Sequence, residues 1–105
     1  MHTRNMRIKL RADSVQEFGR LFRHKIIPLL RAQKGFNQEI TLVAAERNEV
    51  LVISFWDNQE NADAYDHLAY LDVLRALSRV VEDMPVVETF EFADPTPDEI
   101  GASAA

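Results

Sequence analysis

Apolar and polar positions change period along the chain, and each change marks an element. Met6, Ile8 and Leu10 alternate with Arg7, Lys9 and Arg11, a period of two that predicts a strand buried on one face. Further on, Val15, Phe18, Leu21, Phe22, Ile26 and Leu29 fall three and four residues apart, the spacing of one side of a helix. Asp13 or Ser14 is placed to cap that helix, and Glu17 to close a capping box on Ser14. Pro28 interrupts the pattern. It has no N–H to give the His24 carbonyl and its ring crowds that group, which predicts a kink or local break over residues 24–28. Gly35 then ends the helix in a conformation that side chains avoid.

Two further β-prone runs follow, Asn37 to Ala45 and Val50 to Trp56, joined by the polar stretch Glu46-Arg47-Asn48-Glu49. A short polar link of this kind predicts an antiparallel hairpin. Ile40, Leu42 and Ala44 alternate with Glu39, Thr41 and Val43, whereas Val50 to Trp56 is apolar on both faces and calls for cover on both sides. Asp57 or Asn58 caps a second helical region carrying Ala62, Tyr65, Leu68, Ala69, Leu71, Leu74, Leu77, Val80 and Val81, with a bend expected near residues 68–71. Val86 to Phe92 forms a fourth strand.

The order strand, helix, strand, strand, helix, strand is that of an α+β, ferredoxin-like domain with a four-stranded antiparallel sheet. Residues 1–93 make one such domain, and the proline-rich acidic tail 94–105 is expected to be mobile. Helices on one side only leave the other sheet face apolar and wet in a monomer, so a homodimer is expected.

Charge narrows the range of partners. The net charge of −5 disfavours general binding to phosphate backbones, which depends on Lys and Arg releasing counterions, so no nucleic acid is expected. The distribution is lopsided: residues 1–34 hold nine bases against two acids, Asp13 and Glu17. Complementary pairing within the fold or dimer is preferred over an anion-binding surface. With no cysteine, neither a disulfide frame nor a thiolate metal site exists. No segment approaches about 18 unbroken apolar residues, so no membrane association is expected and a cytoplasmic location is the default.

The stretch Ile26-Ile27-Pro28-Leu29-Leu30-Arg31-Ala32-Gln33-Lys34-Gly35-Phe36, the hairpin ending in Ser54-Phe55-Trp56 and the following Asn58-Gln59-Glu60-Asn61-Ala62 together resemble the antibiotic biosynthesis monooxygenase family. The resemblance covers about residues 5–92 and rests on short motifs. It implies a dimeric α/β barrel in which two sheets pack face to face, with a pocket in each subunit between sheet and helices. Some members oxidise phenolic or quinol substrates with molecular oxygen and no metal or flavin, others cleave haem, and many have no established activity. The haem-cleaving pattern fits poorly: Asn5 matches its strand-one asparagine, but Tyr65 and Arg75 stand near its tryptophan and histidine positions.

Oxygenation without a cofactor needs a base to generate an electron-rich anion and polar groups to hold it in an apolar pocket. His67 is the candidate base, since an ordinary histidine titrates near neutrality, and Tyr65 is its candidate catalytic partner. Trp56, Tyr70 and Asn5 are the candidate substrate-binding residues. Each has a plainer reading: His67 as a surface or packing histidine, Trp56 and the tyrosines as core. Arg7, Lys9 and Arg11 share one strand face, where pairing with Glu39, Glu88 or Glu91 is expected. His24 reads as solvent-facing. His2, His24 and His67 share no metal-ligand spacing, and Gly19, Gly35 and Gly101 build no phosphate loop, so no cofactor is expected. The resulting expectation is a cofactor-independent monooxygenase-like protein for a small aromatic or quinol substrate. The alternative is a non-catalytic, small-molecule-binding or stress-related dimer of the same fold.

Overall fold

A computed structural model describes residues 1–93; the tail assigned to 94–105 lies outside the described residues. Strand β1 runs His2–Lys9, helix α1 Val15–Leu21, α2 Ile27–Arg31, β2 Phe36–Ala44, β3 Glu49–Trp56, α3 Gln59–Leu68, α4 Tyr70–Leu77 and β4 Val86–Glu91. The sheet order is β2-β3-β1-β4 with every pair antiparallel. This is the expected α+β, ferredoxin-like domain, with β3 and β1 at the centre of the sheet and β4 joining β1 at one edge.

Local chemistry explains most boundaries. Asn58 caps α3 by accepting the Asn61 N–H at 2.9 Å, as its residue type favours. The hairpin between β2 and β3 closes through a 3₁₀ turn, Ala45–Arg47, and a left-handed Asn48. Ser14 forms no capping box: its hydroxyl turns to the Ala12 carbonyl, and Glu17 instead meets Arg79 at 3.1 Å. Gly35 has φ +79°, and a Cβ there would stand 2.2 Å from Nδ2 of Asn61, so the turn into β2 needs glycine for backbone and space alike.

Between α1 and α2 the chain forms a π-helical turn, Phe22–Ile26. The buried residues Phe18, Phe22, Ile26 and Leu30 follow one another at intervals of four. Each such step rotates about 40° too far on an ideal α-helix, and a wider turn restores the register, carrying Leu30 rather than Leu29 into the core. Pro28 permits this, because it cannot continue the α-helical ladder. The kink expected at residues 24–28 thus takes the form of a π-turn followed by a fresh helix.

One sheet face carries the helices. Ile8, Met6, Val50, Val52 and Trp56 pack there against Phe18, Phe22, Ile26, Leu30, Tyr65, Val73 and Leu77. Register places Thr3, Asn5, Arg7 and Lys9 of β1 on the opposite face, with Ile40, Leu42, Leu51, Ile53, Phe55, Val86, Glu88 and Phe90. There Ile40, Leu42, Val86 and Phe90 are 42–57% exposed, and Phe92 packs edge-on against Phe55.

Within the single chain, Arg7, Lys9 and Arg11 pair with none of Glu39, Glu88 and Glu91; Glu88 shares their sheet face, where the pairing is expected across the dimer. Glu39 and Glu91 register with Ser54 and His2 on the helix side. Lys9 donates to the Arg47 carbonyl and Arg11 to that of Val81. Of the nine bases in residues 1–34, only Arg4 pairs with an acid of the remainder, among the described residues.

Candidate functional site

The site grows from the polar end of β1, which is a strand from His2 rather than from Met6. Alternation puts Arg4 on the helix side beside Met6, opposite Ser54 of β3. Its side chain is only 3% exposed, and Nε donates to Oδ1 of Asp66 on α3 at 2.8 Å. The guanidinium carbon lies 4.1 Å from the ring centre of Tyr70 and 5.1 Å from that of Tyr65. A buried cation is costly unless it is paired, and here one carboxylate and two ring faces offset the cost. Among the described residues the guanidinium makes no other hydrogen bond, so Nη1 and Nη2 retain their donors.

A second chain of contacts adjoins it. Trp56, fully buried, donates from Nε1 to Oγ of Ser54 at 2.9 Å, and Ser54 donates to the Arg4 carbonyl at 3.2 Å. The indole lies 5.1 Å from the Tyr65 ring and meets Phe36 edge-on. Burial pushes the Tyr65 hydroxyl well above the usual tyrosine range; the Arg4 charge opposes the rise less strongly, while Tyr70 and Asp66 add to it. At neutral pH Tyr65 is therefore a protonated hydrogen-bond donor.

Arg4, Met6, Phe22, Ile26, Leu30, Val52, Ser54 and Tyr65 enclose a cavity with about 10 Å³ open to the centre of a water molecule. That is about the space of one water. One wall is the π-turn itself, through Phe22 and Ile26.

The structure brings together Tyr65, Trp56 and Tyr70 of the five residues singled out from sequence. It separates the other two. His67 is exposed on the far side of α3, bonded only to the Asp63 carbonyl one turn back, because two residues along a helix turn a side chain about 200° away from Tyr65. Asn5 points to the open sheet face, since strand neighbours alternate sides. Its Oδ1 is buried without a hydrogen-bond partner among the described residues. His24 is exposed, as expected.

Sequence reading missed Arg4, Asp66 and His2. The last is buried and hydrogen-bonds through Nδ1 to Glu91, leaving Nε2 without a partner among the described residues. The available signal was alternation: His2 and Arg4 continue the period of Met6, Ile8 and Leu10 toward the terminus. No group of three or more metal-ligating side chains forms among the described residues, and no helix there is long and apolar enough to cross a membrane.

A ferredoxin-like sheet carrying an aromatic and cationic cluster under its helices places the chain in a recognisable class of small α+β proteins. The family model described as antibiotic biosynthesis monooxygenase matches residues 1–71, and the chain belongs to that family. No curated protein sequence is significantly similar. Among solved structures, a candidate antibiotic biosynthesis monooxygenase from Deinococcus radiodurans superposes with TM-score 0.74 at 17% identity, covering 91% of this chain and 96% of that one. The cofactor-independent oxygenase SnoaB from Streptomyces nogalater gives the same score, identity and coverage. A Bordetella bronchiseptica candidate of the same description gives 0.75 at 12% identity, covering 88% of this chain and 96% of that one. At these identities the likeness is one of fold.

Proposed function

We propose that this protein is a homodimeric, cofactor-independent oxygenase of a small aromatic quinol, which enters between sheet and helices by widening the water-sized cavity there. The observation that carries this reading is the buried cluster of Arg4, Asp66, Tyr65 and Tyr70, joined through Ser54 to Trp56. Aromatic walls, one hydroxyl donor and one cation suit a flat, electron-rich ring carrying oxygens. The fold shared with an oxygenase that uses no cofactor supports the chemistry. The apolar open face, with Ile40, Leu42, Val86 and Phe90 in water, supports the dimer, because a second sheet would cover it.

A quinol carries all the electrons the reaction needs. Molecular oxygen accepts four: two as the paired hydroxyls become quinone carbonyls, and two as a ring C–H becomes C–OH. One oxygen atom enters the ring and the other leaves as water, taking up the two hydrogens lost by the quinol hydroxyls. The protein's part is to bind the ring, exclude water and favour the ionised quinol that passes electrons to oxygen.

The test is oxygen uptake by the purified protein with a panel of benzo- and naphthohydroquinones under isotopically labelled O₂. Uptake above autoxidation, with one labelled atom in the hydroxyquinone product, is the expected result. Uptake equal to autoxidation across the panel defeats the catalytic reading. The second reading, a binder without turnover, is favoured by the small cavity, whose only titratable lining side chains among the described residues are Arg4 and Tyr65. It predicts saturable quinol binding and no labelled product.

A further inference from the structure

Among the described residues, the cavity is lined by a cation whose terminal nitrogens make no hydrogen bond, and by no base. Its lining is apolar apart from Arg4, Ser54 and Tyr65. His67 faces away, and Tyr65 is held protonated. A buried guanidinium with a single carboxylate partner on Nε is unusual in what it leaves free: Nη1 and Nη2, parallel donors in one plane. That fork matches two acceptor oxygens side by side, the geometry of a carboxylate or of the enolate of a hydroxyketone.

We propose that Arg4 is an anion receptor, and that the planar aromatic ligand of this cavity, the quinol of the proposed reaction, carries beside its hydroxyls an acidic pair of adjacent oxygens. This rests on reading the helix–sheet cavity as the substrate site. Asp66 on Nε and the tyrosine rings hold the guanidinium plane still, so the fork is organised before the ligand arrives. Asp66 is 36% exposed and bonded at Nε, so its negative charge weakens the attraction for an incoming anion without cancelling it.

Space must come from the wall. Phe22 and Ile26 belong to the π-turn, where Pro28 interrupts the regular ladder, and turns of this type recur at functional sites. Displacing Phe22, which lines the cavity with Arg4, enlarges it.

Isothermal titration under anaerobic conditions tests the proposal with three flat probes: benzoate, tropolonate and neutral benzamide. Each is run against the full chain and its Phe22→Ala, Arg4→Met and Arg4→Lys variants, with folding checked by circular dichroism. Saturable binding of either anion, at least about tenfold tighter than benzamide, is expected from charge-assisted hydrogen bonds. Benzoate alone, tropolonate alone or both would assign the paired oxygens to a carboxylate, an enolate or either. Phe22→Ala should bind the same anion more tightly. Arg4→Met should lose the preference for anions while still binding benzamide. Should Arg4→Met not fold, Arg4→Lys keeps the charge without the fork and should lose about tenfold. Equal affinity for benzamide and anions, undiminished anion binding in the Arg4 variants, or no anion binding even with Phe22→Ala would each overturn the proposal.

The two readings fail separately. Arg4-dependent anion binding with no oxygen uptake sinks the oxygenase and leaves the receptor. Uptake with quinols that is unchanged in Arg4→Lys sinks the receptor and leaves the oxygenase.

Discussion

Replacing Ser54 by alanine removes one oxygen atom and little volume, yet it strips the indole of Trp56 of its acceptor. Nε1 lies 2.9 Å from Oγ and the whole side chain is out of reach of water. A buried donor left unpaired costs about 1–3 kcal/mol. The second bond lost, Ser54 to the Arg4 carbonyl, is longer at 3.2 Å and adds at most about 1 kcal/mol. Trp56→Phe costs roughly 2 kcal/mol for the apolar surface and packing removed. Its benzene ring has no N–H to orphan. Ser54→Ala in the Trp56→Phe background should therefore cost less than about 1 kcal/mol, a coupling of about 1–3 kcal/mol in the double-mutant cycle. Urea denaturation at fixed protein concentration reads each corner of the cycle. Far-ultraviolet circular dichroism serves as signal, because Trp56 is the only tryptophan. Additive energies, or a Ser54→Ala variant within about 0.5 kcal/mol of the parent, would refute the argument that this hydroxyl satisfies the indole.

Gly35→Ala should cost about 2–4 kcal/mol by the same assay, from a positive φ together with a Cβ 2.2 Å from Nδ2 and 2.6 Å from Cβ of Asn61. A cost below about 1 kcal/mol would show that the start of α3 yields freely. Leu42→Asp and Phe90→Asp, each on the open sheet face, should weaken self-association by about a hundredfold or more in sedimentation velocity while leaving circular dichroism unchanged. An unchanged sedimentation coefficient would place the contact elsewhere. The Tyr65 hydroxyl titrates higher folded than unfolded, so its share of stability is complete below the unfolded value of 10.0 and is lost as pH rises beyond it toward the folded value. Tyr65→Phe should flatten the alkaline fall in stability, and an identical fall in both proteins would contradict the burial argument. His67→Ala should leave oxygen uptake and stability within error of the parent, since the ring is exposed and bonds only the Asp63 carbonyl; a large loss of uptake would restore His67 as a base.

Periodicity made the scaffold legible because its cause is burial on one face. Met6, Ile8 and Leu10, or Phe18, Phe22 and Ile26, announce strand and helix through spacing alone. The same rule hid the site. His2, Thr3, Arg4 and Asn5 are polar, so the apolar alternation begins only at Met6, although register carries the strand to His2. The capping box failed for a related reason: Ser14 and Glu17 have the right spacing, but a better partner for Glu17 arrives from Arg79, distant in sequence. The pairing of Arg4 with Asp66 across 62 residues is likewise invisible to any local rule.

Proximity in sequence misled in the opposite direction at α3. Tyr65 and His67 look like neighbours on paper, yet a helix sends one to the core and the other to water. Asn5 and Arg4 are adjacent and, on a strand, necessarily face opposite sides of the sheet. The candidate site is thus selected by parity and phase rather than by residue type: from the polar residues near the start of β1, only those in step with Met6 and Ile8 reach the helix side. Arg4 is in step, and its cost of burial is what requires Asp66, Tyr65 and Tyr70 to gather round it. A single-residue slip of β1 would send Arg4 to the open face and Asn5 inward, and the cation would leave the cavity along with its partners.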